Sequence, residues 1–138
     1  MKAEVTVNWE NNLEFNAEVN GHKLIMDAGL DAGGNDKGPR PKPLLLAALG
    51  GCTGMDVVSI LKKMQVSVES FKMYISGNAR DEHPKYYDSI HVIYELKGKN
   101  LPLDKIQKAI ALSEEKYCGV GALYRKAIPV TSEIKLIE

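Results

Sequence analysis

Between Leu44 and Leu61 the chain carries a single charged side chain, Asp56, and Lys62-Lys63 closes the stretch. A membrane span needs about 20 predominantly apolar residues, and an Asp near mid-bilayer costs roughly 2.5–3.5 kcal/mol on insertion scales. With Thr53, Asp56, Ser59 and glycines at 50, 51 and 54 in the run, a buried helix over Leu44 to Gln65 in a soluble core is the better reading. A helix that is apolar almost all round must be covered on several sides. One small β-meander can hardly do that, so a second subunit is expected.

That meander occupies the start of the chain. Ala3, Val5, Val7 and Trp9 alternate with Glu4, Thr6 and Asn8, and Leu13, Phe15, Ala17 and Val19 alternate with Glu14, Asn16 and Glu18. Period two puts each apolar set on one face of a strand. Asn11-Asn12 suits a turn. Asn20-Gly21 is a hairpin signal because both residues tolerate φ > 0, and His22 to Asp27 is a third strand. The segment from Asp27 to Pro43, rich in Gly, Asp and Pro, reads as a flexible connection. Its Gly33-Gly34-Asn35-Asp36-Lys37-Gly38 lacks the Gly-Lys-Ser/Thr ending of a phosphate loop.

After the apolar helix come two long strands. Phe71, Met73 and Ile75 share a face in one, and Ile90, Val92, Tyr94 and Leu96 in the other, with a turn at Asp81-Glu82-His83-Pro84. Pro102 opens a second helix, with Leu103, Ile106, Ile110 and Tyr117 on one stripe and Gly119 as its stop. A short turn covers Val120 to Arg125, and Ile128 to Ile137 is the last strand. The order βββ-α-ββ-α-β segregates strands from helices and argues an α+β fold, a single domain over residues 1–138.

Eighteen basic side chains balance eighteen acidic ones. That balance removes the field a nucleic-acid or anionic-membrane binder needs, so neither partner is expected. His22, His83 and His91 lie far apart, and with two cysteines no spacing fits a metal site. Met1-Lys2-Ala3 runs straight into the first strand without a leader pattern. A reducing cytoplasm is the expected setting, with both thiols free at rest.

Those thiols admit two readings. Free cysteine is often just a small buried hydrophobe. Cys52, however, sits among Gly50, Gly51 and Gly54, each costing about 0.5–1 kcal/mol in a helix interior relative to Ala. Something then approaches the backbone closely, either a helix packed at a dimer interface or a substrate reaching the sulfur. A reactive thiol calls for a cation or hydrogen-bond donor beside it. Cys52 is too deep in the helix for the dipole to act, and Asp56, at i+4, would raise its pKa. The chain has arginines only at 40, 80 and 125. Arg40 on the loop feeding the helix and Arg125 after Cys118 are the candidate thiolate-stabilising residues.

The stretch Pro41-Lys42-Pro43-Leu44-Leu45-Leu46-Ala47-Ala48-Leu49-Gly50-Gly51-Cys52-Thr53-Gly54-Met55-Asp56-Val57-Val58, together with Ser113-Glu114-Glu115-Lys116-Tyr117-Cys118-Gly119-Val120, resembles the OsmC/Ohr family, the osmotically inducible protein C and organic hydroperoxide resistance proteins. The resemblance covers essentially the whole chain and is nearest the OsmC-like branch. It implies an intertwined homodimer with the long central helices buried between sheets. It also implies a thiol peroxidase, an oxidoreductase of the oxidative stress response that needs no bound cofactor. Cys52 would attack the peroxide and become a sulfenic acid, Cys118 would resolve it to a disulfide, and an external dithiol would reduce that. The family's hydroperoxide reductases pair the reactive thiolate with an N-terminal-region Arg and a Glu in a Pro-x-Glu-Leu pattern. Residues 1–39 contain no Arg, and Pro43 stands at the Glu position.

The leading expectation is therefore an organic hydroperoxide reductase with Cys52 and Cys118 as catalytic residues. Its alternative is a non-catalytic dimeric protein that binds an apolar small molecule on the same scaffold. Thiol acyl transfer wants a Cys–His pair, and no His lies near either Cys in sequence.

Overall fold

A computed structural model describes residues 1–138, in two compact units, Met1–Leu45 and Leu46–Glu138. The first unit is an antiparallel meander of β1 (Thr6–Asn11), β2 (Glu14–Val19) and β3 (His22–Met26). Asn20 and Gly21 both take positive φ, 51° and 79°, as a two-residue hairpin requires. The first turn falls on Asn12, at φ 49°, followed by Leu13. In register, Trp9 faces Phe15 across β1–β2, and Ala17 faces Leu24 across β2–β3. The alternation holds, but the apolar face is not covered: Val7 is 52% and Trp9 65% exposed, while Glu14 and Asn16 are buried.

The connection after β3 is not the flexible segment its composition suggests. The buried Asp27 carboxylate accepts N–H groups from Ala28 at 2.7 Å, Asn35 at 3.3 Å and Lys37 at 3.2 Å, and its own N–H donates to the Pro39 carbonyl. Burial pushes this carboxyl upward, but the three N–H donors and the Lys37 charge outweigh it and hold it below the ordinary value. A 3-10 turn at Leu30–Ala32 completes the loop.

The apolar stretch is the helix α1 (Leu44–Lys63), left through Gln65 in the left-handed region. In the second unit it joins β4 (Ser70–Ala79), β5 (Tyr87–Lys97) and β6 (Val130–Ile137). The sheet order is β4-β5-β6, antiparallel then parallel. The parallel pair needs a crossover, supplied by α2 (Leu103–Leu112), a π-helical turn (Ser113–Tyr117) and α3 (Gly119–Arg125). Gly119 therefore opens a helix where it was expected to end one. The π-turn also breaks the expected stripe, because an extra residue in the turn rotates every later side chain about the axis. Ile106 and Ile110 are buried, but Tyr117 is exposed, and so is Leu103 in the first turn of α2, ahead of the π-turn.

α1 is long and apolar enough to cross a membrane by length and composition. One stripe of it, Leu49, Thr53, Val57 and Leu61, is buried. The apolar members of that stripe share a core with Ile90, Val92, Tyr94 and Leu96 of β5 and Ile106, Ala109 and Ile110 of α2. The opposite face, which a second subunit is expected to cover, is open in the single chain, with Met55 77% exposed. Gly50 and Gly54 let α1 pack close to β4, whereas Gly51 does not. A Cβ on Gly50 would come 2.7 Å from Ile75 Cδ1, one on Gly54 would meet Met73 at 3.4 Å, and one on Gly51 would meet nothing within 4 Å. The β4 side of the sheet is the neighbour that approaches the backbone at Gly50.

Candidate active site

A helix advances about 100° per residue, so Cys52 and Asp56 lie on an edge of α1 beside the buried stripe that carries Thr53. The segment from Ser113 to Gly121 closes against that edge. Ser113 is fully buried, and its hydroxyl donates to Asp56 Oδ2 at 2.9 Å. The Thr53 hydroxyl donates to Cys118 Sγ at 3.2 Å, and the Gly121 N–H donates to the same sulfur at 3.3 Å. The Cys52 thiol completes the group. It lies within hydrogen-bonding reach of both Cys118 and the Val120 backbone N–H. The two cysteines are thus side by side, both free, Cys52 half-buried and Cys118 sealed at 2% exposure.

The electrostatics of Cys52 run against a resting thiolate. Burial is the largest influence and pushes its pKa up. The Val120 N–H opposes this, but Cys118 and Asp56 add to it, and the net direction is above the ordinary 9.0. No cationic side chain is among the groups acting on it.

The two candidate arginines are placed differently. Arg40 lies in the first unit, where its guanidinium meets Asp36 Oδ1 at 2.6 Å and the Gly38 carbonyl at 3.0 Å. Arg125 reaches the neighbourhood of Cys118. A Cβ on Gly121 would meet Arg125 Nη1 at 2.6 Å and Cys118 Sγ at 3.4 Å, so the missing side chain at 121 is what lets the guanidinium come in. Arg125 is held there by Glu114, through the carbonyl at 3.2 Å and the carboxylate at 3.4 Å. Ser132 donates to that carboxylate from β6. Buried Tyr94 borders the cluster: burial first, then the Glu114 charge, push its phenol well above the usual range, with Arg125 opposing. Glu114 and Arg125 form a carboxylate–guanidinium pair at Cys118 rather than at Cys52.

Sequence reasoning missed Thr53, Ser113, Glu114, Gly121 and Tyr94. A signal existed for Thr53, a hydroxyl on an otherwise apolar i, i+4 stripe. Ser113 and Glu114 stood in the quoted Cys118 segment, but the π-turn that presents them has no local sequence mark; Tyr94 and Gly121 join the cluster from β5 and α3 only through the tertiary fold.

Between α1 and β4 runs a groove of about 820 Å³ lined by Gly51, Met55 and Val58 of the helix and Phe71, Met73 and Ile75 of the strand; neither Cys52 nor Cys118 lines it. Its lining is nearly all apolar. No group of His, Cys, Asp and Glu is arranged to hold a metal ion.

Residues 34–133 match the model of the family described as OsmC-like protein. The chain is 32% identical over 135 residues to the protein YhfA of Escherichia coli strain K12, covering 97% of this chain and 98% of YhfA. It superposes on the crystal structure of a hypothetical protein from Aquifex aeolicus VF5 with a TM-score of 0.83, at 30% identity and over 100% and 99% of the two chains. The organic hydroperoxide resistance protein OhrB of Bacillus subtilis shares the fold at a TM-score of 0.64 and 20% identity, over 98% of each chain. The family match over residues 34–133 and the 32% identity across nearly the whole chain point the same way: the chain belongs to the OsmC-like protein family.

Proposed function

We propose that the protein is a thiol-dependent reductase of organic hydroperoxides. The observation that carries this reading is the contact between two free thiols, Cys52 and Cys118, in a polar cluster inside an otherwise apolar core. A pair of structural hydrophobes does not need the Thr53 hydroxyl and a backbone N–H directed at one sulfur. The hydroperoxide resistance named for OhrB supports peroxide as the substrate class.

Cys52, the more accessible sulfur, loses its proton and attacks the outer peroxide oxygen. The O–O bond breaks, the alcohol leaves with a proton, and Cys52 becomes a sulfenic acid. The Cys118 sulfur attacks the Cys52 sulfur, water leaves, and a disulfide remains. An external dithiol returns both thiols. No metal or bound cofactor takes part.

A second copy of the chain is the partner this reading expects for the open apolar surfaces. Two apolar surfaces lie open on one chain, the α1 face of Met55 and Val58 and the sheet face of Val7 and Trp9. A twofold pairing of such surfaces buries them reciprocally.

The test is consumption of cumene hydroperoxide with dithiothreitol as reductant. Turnover that disappears in Cys52→Ser is the expected result; turnover equal to that variant removes the enzyme reading. The absence of a cation acting on Cys52 favours one competitor, a non-catalytic binder of apolar ligands. Ligand-induced melting shifts that survive Cys52→Ala, with thiols inert to peroxide, would establish it.

A further inference from the structure

The two sulfurs are unequal in a way that peroxide attack does not explain. Cys118 is the sealed one, yet the hydrogen-bond donors converge on it: Thr53 Oγ1 at 3.2 Å, the Gly121 N–H at 3.3 Å, and the Cys52 thiol itself. Arg125 stands on the same side, across Gly121. Cys52 has one backbone donor, from Val120, and faces the Asp56 carboxylate. A sulfur that must attack or be reached belongs where reagents arrive. One that must depart with an electron pair belongs among donors.

We propose that Thr53 and the Gly121 N–H form a cradle for Cys118 as the leaving sulfur when the Cys52–Cys118 disulfide is reduced, so that the external dithiol attacks Cys52 and not Cys118. The inference rests on the reading of the pair as a redox couple and deepens it. A thiolate of the dithiol forms a bond to Cys52 Sγ. The Cys52–Cys118 bond breaks and its electron pair goes to Cys118 Sγ, where the Thr53 hydroxyl and the Gly121 N–H stabilise the charge until a proton arrives from the medium. The second thiol of the reductant, deprotonated, then attacks its own sulfur in the mixed disulfide. Cys52 leaves as a thiolate and takes a proton, and the reductant ends as a cyclic disulfide.

Exchange rates depend on which sulfur is accessible and on how well the other one leaves. Both factors select the same direction here: Cys52 is half-buried and Cys118 is sealed. Thr53 occupies a position where Val would fill the same space in the apolar stripe, so the hydroxyl has a use beyond packing. Asp56 adds to the polarity of the pair, since a carboxylate facing Cys52 disfavours charge on that sulfur and leaves Cys118 as the better site for it.

The experiment uses the whole protein and forms the disulfide with diamide, so that it does not depend on peroxide. The oxidised wild type, Thr53→Val and Thr53→Ser are mixed with excess dithiothreitol, and the appearance of free thiols is followed by quenched alkylation and mass spectrometry. Loss of one donor to the developing charge should slow Thr53→Val by roughly 10- to 100-fold, and Thr53→Ser should recover most of the rate. With a monothiol, 2-mercaptoethanol, the trapped wild-type adduct should sit on Cys52 with Cys118 alkylated. An adduct on Cys118, equal rates for wild type and Thr53→Val, or no disulfide between the two cysteines overturns the proposal. The adduct position is read on the wild type and so stands whether or not Thr53→Val folds. Expected reduction behaviour with no peroxide consumption would support the cradle and overturn the peroxide reading.

Discussion

The open face of α1 makes a quantitative demand on a second subunit, and Met55→Glu tests it. Met55 is 77% exposed in the single chain. Fully burying a Met side chain is worth about 1.5–3 kcal/mol, so covering what remains open contributes roughly 1–2 kcal/mol per copy. In a twofold interface the residue counts twice, about 2–4 kcal/mol, before the cost of burying a carboxylate is added. Dissociation should therefore become easier by about 30-fold to 1000-fold, taking tenfold per 1.4 kcal/mol. Within one chain the substitution touches solvent, and its effect on folding should stay within about 0.5 kcal/mol. Sedimentation velocity over a concentration series reads the first quantity, and circular-dichroism melting of the separated subunits the second. A wild type that runs at 15.2 kDa at all micromolar concentrations, or a Met55→Glu protein that dissociates no more readily, would refute the covering of this face.

Three further outcomes are expected. Because burial, Cys118 and Asp56 together raise the Cys52 thiol above 9.0, peroxide consumption should climb about tenfold per pH unit between pH 6 and 8; Asp56→Asn, which removes a charge that raises it, should displace the profile to lower pH. A profile flat over that range would mean that Cys52 is already ionised. In the Met55→Glu background, Gly51→Ala, whose Cβ meets nothing within 4 Å, should stabilise the chain by about 0.5–1 kcal/mol, while Gly50→Ala, facing Ile75 at 2.7 Å, should gain clearly less; equal gains in chemical denaturation would contradict the packing described. Asp27 titrates below its ordinary 3.8 in the folded chain, so its contribution is complete above that value and is lost as pH falls through the folded value. Hydrogen exchange of the Asn35 and Lys37 amides should accelerate only at that acid extreme, and Asp27→Ala should accelerate it at neutral pH.

The features legible in the sequence were local. Asn20-Gly21 set a hairpin because both residues accept left-handed backbone, and the alternation in β5 named Ile90, Val92, Tyr94 and Leu96 as one face, all of which are buried. The apolar run named α1 within two residues of its end. The features that stayed hidden depended on partners distant in the chain. The loop after β3 looked flexible because its glycines and prolines are visible, whereas the hold of a buried Asp27 on amides eight and ten residues away is not. The π-turn after Leu112 leaves no compositional trace, yet it rotates Tyr117 out, sets Cys118 at the head of α3 and brings Ser113 under Asp56. Cys52 and Cys118 were named from their motifs; the unequal surroundings of the two sulfurs needed coordinates.

Those surroundings also bear on the missing Arg–Glu pair. Burial, Cys118 and Asp56 raise the Cys52 thiol above its ordinary value, which lowers the share of thiolate near neutral pH, while a more basic thiolate is the stronger nucleophile. The two effects oppose each other, so orientation and leaving-group stabilisation carry the weight in the proposed peroxide attack. The Glu114–Arg125 pair and the Thr53 hydroxyl lie on the side of Cys118, the sealed sulfur. On the proposed reduction route these donors stand where the charge of the departing Cys118 sulfur would develop, and a Thr53→Val variant reduced as fast as the wild type would leave the Thr53 hydroxyl without that role.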